Sequence, residues 1–297
     1  MGAEQTQPSE PIVAPDGAAE EFAAAIEASA GQSLDLGFGD PMDGVAVRDA
    51  FEQILLSAHP DRALEVLIRS GVMEAVLPEV AALVGFGEGI RHKDVWEHTK
   101  RVVRQSPCRP EVRWAALLHD IGKVPTRRFE PEGQVTFIGH PEVGARMFDR
   151  IAGRIPLDDR MRERVRFLIG SHLRASAYDG NWTDSAIRRF TRDMGQALED
   201  LLDLSRADIT SKYADKVRRG LRQIDELADR VSEIKELDAT PPPLPTGLGR
   251  AIIDQLGVAP GPALGAMMRQ LKAAVADGRL TAQRDFEHYL EFLRRQK

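Results

Sequence analysis

Six side chains able to hold a cation fall on five separate segments of this 297-residue chain, each at a place where helical geometry turns them inward. His98 lies in KDVWEHTKRVV, three residues after Val95 and four before Val102, so it shares their face. His119 and Asp120 close the apolar run RWAALLHDIGK. Neighbouring helical residues diverge by about 100°, so two adjacent ligands suit a last turn, and Gly122 is the expected stop. His140 precedes Pro141, a favoured first helical residue, which puts its imidazole at a helix start. His172 follows Val165, Leu168 and Ile169 on one apolar face, and Asp208 shares a face with Leu201 and Leu204.

Any one inward histidine reads as a core residue with a hydrogen bond. A buried aspartate is rarer, because an unpaired carboxylate away from water is costly. Six such groups in one domain need a common partner, and a metal centre supplies one: coordination offsets their desolvation. Mixed imidazole and carboxylate ligands favour Mn, Fe, Co, Ni or Zn over Mg, with one or two ions bound. Such a centre can activate a bound water for hydrolytic attack, and the family resemblance that these residues carry implies that the bond attacked is a phosphoester. Lys123, one turn past Asp120, is a cation for the phosphate or an ordinary lysine at a helix C-terminus. Arg174 and Lys212 are weaker candidates of the same kind. His59, His92 and His288 carry no such signal. Trp96, Trp114 and Trp182 read as packing residues, although Trp182, in its Gly-Asn-Trp loop, is also placed to stack on a base.

The elements that must position these groups are helical. Residues 1–45, rich in Ala, Glu, Pro and Gly, are expected to form a disordered leader with at most a short helix at Glu20 to Ala28. Residues 46–90 are a helical lead-in, with a start at Pro60-Asp61 and a stop at Gly71. Residues 91–237 continue in helical style and hold all six groups; only Gln134 to Ile138 has strand character. A Pro-rich linker, 238–247, cannot be helical, and 248–297 forms a tail of two or three short helices. The class is all-α: a helical bundle with a small helical C-terminal tail. A net charge of −6 gives no global attraction to nucleic acid, so the arginines between Arg146 and Arg166 read as a solvated helix face. One cysteine, Cys108, excludes an intramolecular disulfide and fits a cytoplasmic setting. No secretory signal is visible, and no run of about 18 apolar residues occurs, so no membrane span is expected.

The order His98, then His119-Asp120 within LLHDIGK, then Asp208 resembles the HD superfamily of metal-dependent phosphohydrolases in its HDIG form. The resemblance implies that these four residues bind one metal. His140 in FIGHPEVGA and His172 in IGSHLR match the two extra histidines of binuclear members, in which Asp120 would bridge both ions. No GYP motif follows the HDIG segment, which argues against the cyclic-di-GMP branch. A nucleotide or RNA-end phosphate is the preferred substrate.

A second resemblance covers more of the chain. DAFEQILLSAHPDRALEVLIRSGVMEAVLPEV, then HKDVWEHT, and the tail PLPTGLGRAIIDQLGVAPGPALGAMMRQLKAAVADGRLT are similar to the part of bacterial tRNA nucleotidyltransferases that follows the catalytic head. GVAVRD, Gly44 to Asp49, is superficially similar to that head's Gly-rich turn. No D-x-D pair follows it to hold the ions that activate a 3′-hydroxyl, so nucleotide addition is not expected. Two further readings are a non-catalytic RNA- or tRNA-binding remnant and a scaffold that uses the leader.

Overall fold

The computed structural model describes residues 17, 44–87, 94–131, 134–239 and 241–296. The expected leader and its short helix therefore lie almost entirely outside the described residues, as does His92. The described chain divides into two compact units, one ending at Val231 and the other beginning at Ser232.

The first unit is built from helices whose ends the sequence marks. Helices α1 (Gly44–Leu56), α2 (Pro60–Arg69), α3 (Val72–Val76) and α4 (Pro78–Ala81) form the lead-in. Gly71, between α2 and α3, takes the left-handed φ of 77° that only glycine adopts freely. GVAVRD lies on α1 as regular helix, not as a turn. Helix α5 (Val95–Gln105) starts where the Asp94 carboxylate accepts the amides of Trp96 (2.9 Å) and Glu97 (3.2 Å). Helix α6 (Pro110–Leu118) is buried on every face from Val112 to Leu118. That makes it the axis of the bundle, and α1, α5, α9 and α11 pack around it.

After a short turn of helix, α7 (Lys123–Thr126), the chain makes a small hairpin in which β1 (Arg128–Phe129) pairs antiparallel with β2 (Val135–Thr136). Only β2 was legible in sequence; Arg-Phe is too short to show alternation. Helices α8 (His140–Arg154), α9 (Asp159–Ser171), α10 (Asp184–Met194) and α11 (Leu198–Asp208) complete the bundle. Helix α12 (Ala214–Ala239) is the longest. It runs through Asp238 and Ala239, into the stretch expected to be non-helical, because proline excludes helix only at itself and the residue before it.

Several of the clustered arginines are held by acids: Arg154 by Glu79, Arg164 by Asp200, and Arg162 and Arg166 by Asp149. Trp182 packs edge-on between Tyr178 and Phe190, at 5.5 and 5.4 Å between ring centres, as a packing residue does. In the second unit, α13 (Leu248–Leu256), α14 (Pro262–Ala276) and α15 (Phe286–Arg295) enclose a separate core that includes Leu248, Ile252, Leu271, Tyr289 and Leu290. Among the described residues no helix is long and apolar enough to cross a membrane.

One buried cation, Arg113, ties α6 to its surroundings. Its Nε donates to the carbonyls of Ser106 (2.8 Å) and Pro107 (3.1 Å), and Nη1 donates to that of Leu55 at 2.7 Å. Burial holds its pKa below the usual arginine value. Arg113→Met keeps the apolar stem but leaves three carbonyls without their donor. A loss of about 2 kcal/mol in urea unfolding is expected, the scale of hydrogen bonds from a charged donor. An unchanged midpoint would mean that water replaces the guanidinium without penalty.

Candidate metal centre

Five segments of the bundle bring His98, His119, Asp120, His140, His172 and Asp208 to one place. His98 sits on the buried face of α5. His119 and Asp120 follow the end of α6, His140 opens α8, His172 caps α9 and Asp208 ends α11. His119 and Asp120 are the floor, their side chains 1% and 2% exposed. Asp208 at 21%, Lys123 at 13% and His140 at 10% form the mouth.

The groups form two trios, His98–His119–Asp208 and Asp120–His140–His172. In the first, the His98 and His119 Nε2 atoms are 3.3 Å apart, and Asp208 Oδ1 lies 2.9 Å from one and 3.6 Å from the other. In the second, the His140 and His172 Nε2 atoms are 3.2 Å apart, with Asp120 Oδ1 at 3.5 and 4.0 Å from them. Asp120 faces both sets, because its Oδ2 is 3.3 Å from His119 Nε2 and 3.6 Å from His98 Nε2. Nitrogen and oxygen ligands about 2.0–2.2 Å from a common ion stand roughly 3–3.5 Å from one another; the first trio comes close to this, and the second has one wider edge, the 4.0 Å between His172 and Asp120.

The ring tautomers sharpen that fit. Nδ1 of His119 meets the Ala116 carbonyl at 2.8 Å, Nδ1 of His140 the Phe137 carbonyl at 2.9 Å, and Nδ1 of His172 the Ile169 carbonyl at 2.8 Å. A carbonyl only accepts, so each Nδ1 carries a proton, and a ring that is neutral turns a bare Nε2 lone pair inward. Burial lowers the pKa of His98, His140 and His172, the last to about 4, so these three are neutral at pH 7. The Nε2 atoms of His140 and His172 are thus two acceptors facing each other with no proton between them. Asp120 Oδ2 is buried, 3.3 Å from His119 Nε2 and 2.9 Å from the Lys123 ammonium.

His119 differs from the other three. Burial would lower its pKa, but the Asp120 charge and hydrogen bonds to Asp120 and Asp208 push it up to about 10. Burial alone would raise both aspartates. Instead, the charge of and hydrogen bond to His119 hold Asp120 well below the usual carboxylate range, and hydrogen bonds to His119 and His98 do the same for Asp208. Without a metal, one proton on His119 neutralises the floor of the site.

Two positioning features escaped the sequence reading. Thr210 Oγ1 lies 2.6 Å from His98 Nδ1 and orients that ring; a threonine two residues past Asp208 was the only signal. Gly122 has an ordinary helical φ of −67°, so it is not the left-handed stop that was expected. Its missing side chain is what matters: a Cβ would lie 2.1 Å from the His140 carbonyl oxygen and 2.7 Å from the Gly144 amide nitrogen. Of the weaker candidates, Arg174 pairs with Asp193 and Lys212 lies over the Tyr213 ring. His288 accepts the Thr281 amide, and His59 precedes α2 as its N-cap; neither joins the six.

Residues 94–220 match the HD domain, and residues 47–83 match the "probable RNA and SrmB-binding site of polymerase A". The chain carries an HD domain preceded by a segment of the polymerase A type. It is 33% identical over 258 residues to the CC-adding tRNA nucleotidyltransferase of Thermus thermophilus, covering 84% of this chain and 56% of the relative. It is 32% identical over 254 residues to the A-adding tRNA nucleotidyltransferase of Deinococcus radiodurans, covering 82% and 57%. A Multifunctional CCA protein of Azoarcus sp. is 38% identical over 96 residues, covering 30% and 23%. The chain thus spans a little over half the length of the first two of these relatives.

Proposed function

We propose that this chain is a metal-dependent phosphohydrolase that cleaves a phosphomonoester or cyclic phosphodiester of a nucleotide or RNA end. The observation that carries the reading is the pair of neutral imidazoles, His140 and His172, whose Nε2 lone pairs meet at 3.2 Å beside the buried Asp120 carboxylate. The two lone pairs have no proton between them, and a divalent ion such as Mn, Fe, Co, Ni or Zn suits these nitrogens together with the carboxylate.

In this reading His98, His119 and Asp208 would hold one ion and His140 and His172 a second, with the Asp120 carboxylate available to both. When bound, the ions would supply positive charge against the phosphate and activate water at neutral pH. The protein does the rest. Lys123, at the mouth and one turn past Asp120, binds a phosphate oxygen. The carbonyl-anchored rings hold the donors in register, and the buried floor excludes bulk water from the scissile bond. Residues 91–237 make up the hydrolytic domain, the Pro-rich stretch that follows α12 its linker and 248–297 a tail, in a cytoplasmic setting in keeping with the single thiol and the tRNA-directed relatives.

A non-catalytic RNA- or tRNA-binding role is the second reading, favoured by the match of residues 47–83 to an RNA-binding segment. A screen of nucleotide phosphomonoesters and 2′,3′-cyclic phosphates against Mn, Ni and Co separates the two, with metal content measured on the same protein. Hydrolysis that disappears in Asp120→Ala supports the enzyme; equal rates in both proteins would end it.

Metal uptake should depend on pH in a defined direction. His119 keeps its proton up to a pKa of about 10 in the metal-free site, while the other five groups have already lost theirs at pH 7. Loading must expel that proton, so between about pH 7 and 9 the apparent metal affinity should rise roughly tenfold per pH unit, with one proton released. Calorimetry in buffers of different ionisation enthalpy reads the proton count directly. A count of zero would mean that His119 carries no extra proton to expel or that the first trio does not take the ion, and metal content on the same sample tells these apart.

A further inference from the structure

From the mouth of the centre a continuous strip of rings and cations leads outward. Lys123 Nζ, 2.9 Å from Asp120 Oδ2, lies 5.6 Å from the centre of the Phe137 ring. Phe137 meets Phe86 at 6.1 Å between ring centres. The Arg127 guanidinium then stands 4.4 Å over Phe86 and 5.3 Å from the ring of Phe129. The strip ends in water: Phe129 is 72% exposed and Ile138, on the same hairpin, is 80% exposed.

Burying these two side chains is the ordinary expectation for a phenylalanine and an isoleucine. Here the hairpin that leads into His140 holds them out, beside the exposed Arg127 and Arg128. The hairpin is joined to the centre covalently and through Phe137, whose carbonyl fixes the His140 ring. Exposed apolar groups next to a functional mouth mark a binding surface. Aromatic faces interleaved with arginines fit one chemistry best, a single-stranded nucleic acid: each base has a face to stack, and the guanidiniums meet its phosphates.

We infer that Phe129 and Arg127 form a base-stacking strip for the single-stranded RNA end whose terminal phosphate enters the metal centre. The inference rests on the phosphohydrolase reading above and narrows its substrate. Phe86 is buried and Phe137 partly so, and these two rings carry the contact from Lys123 to Arg127, while the faces open to a base are those of Phe129 and Arg127. A phosphate at Lys123 and a base on Phe129 are separate contacts, which an oligonucleotide end can make together. Phe129 acts on binding, and the bond-breaking groups are the ones at the centre.

The test uses the full chain and an RNA trimer with a 3′-terminal phosphate and 2-aminopurine in place of one base, whose fluorescence is quenched when it stacks. Binding is followed in excess EDTA and again in Mn²⁺, so the readout does not depend on turnover. Wild type should quench the probe. Phe129→Ala should weaken binding by roughly ten- to a hundredfold, Phe129→Trp should restore it, and Leu237→Ala, an exposed apolar position in the second unit, should leave it unchanged. With a trimer abasic at the probe positions, wild type and Phe129→Ala should bind alike.

No quenching by wild type, or equal binding of wild type and Phe129→Ala, would overturn the inference. So would a Phe129→Ala variant whose only change is loss of a dimer in sedimentation, which would make the patch a contact between copies of this chain. Hydrolysis measured on the same samples keeps the two proposals apart. Phe129-dependent quenching without Asp120-dependent hydrolysis supports the strip and removes the enzyme. Asp120-dependent hydrolysis without any Phe129 effect does the reverse.

Discussion

Replacing Asp120 with alanine should remove hydrolysis by a factor on the order of a thousand or more and bring bound metal below one ion per chain. The scale follows from position. Loss of a group that merely orients a metal ligand costs about ten- to a hundredfold. Asp120 presents one oxygen to each trio, at 3.3 Å from His119 and 3.5 Å from His140, so its loss weakens both at once. The fold should survive. The Asp120 charge is the largest cause raising the His119 pKa, so its loss loosens the extra proton there, while the Lys123 ammonium at the mouth loses an ion-pair partner. A stability cost of about 3 kcal/mol is expected in urea, the low end for breaking a buried pair. Asp120→Asn, equal in shape and without charge, should match alanine in metal content and exceed it in stability. Elemental analysis, a nucleotide hydrolysis assay and an unfolding curve on the three proteins check the set. Full metal occupancy in the alanine variant would contradict the bridging role.

Gly122→Ala should be the most damaging single-methyl change in the bundle. The added carbon would come to 2.1 Å from the His140 carbonyl oxygen and 2.7 Å from the Gly144 amide nitrogen, and both obstacles are backbone. A side chain can swing away from such a clash; a helix start cannot without moving as a unit. The first turn of α8 must then shift, taking His140 away from His172 and Asp120. A stability loss of about 3 kcal/mol, the upper part of the range for overpacking, is expected together with loss of the second ion. Metal content should fall toward one per chain even at temperatures where the variant is fully folded. If stability drops while both ions stay, α8 has moved without its histidine. If neither changes, the close approach is softer than its distances imply.

Much of the centre was legible because its residues announce themselves by type and face. His98 among Val95 and Val102, His172 after Leu168 and Ile169, and Asp208 after Leu204 are polar groups on apolar stripes, and helical periodicity alone turned them inward. Pro141 located His140 at a helix start, as the structure has it. The HDIG order then linked segments that periodicity cannot link, since distances across a bundle leave no trace in local spacing.

What stayed hidden had weaker local signals. Gly122 looked like a helix stop, because glycine after an apolar run usually is one; its role as a point of backbone contact with α8 exists only once two distant segments meet. Thr210 was indistinguishable from any surface threonine until α11 placed it against His98. The strand Arg128–Phe129 was too short for alternation, and so the strip it carries was invisible as well. The helix ending at Ala239 reflects how short a distance the influence of proline reaches.

The three rings anchored on carbonyls share a device whose reach goes beyond tautomer choice. Ala116 serves His119, Phe137 serves His140 and Ile169 serves His172, each a carbonyl three positions earlier in the chain. Every tether closes within a single turn, so ring orientation is set by local backbone and needs no ion to organise it. Such a cage has little give, and an occupant must conform to its span. Cations whose preferred radius or ligand count departs from that span should bind weakly even where their intrinsic appetite for imidazole is greater, which makes the rigidity of three short tethers a filter on which metal the protein retains.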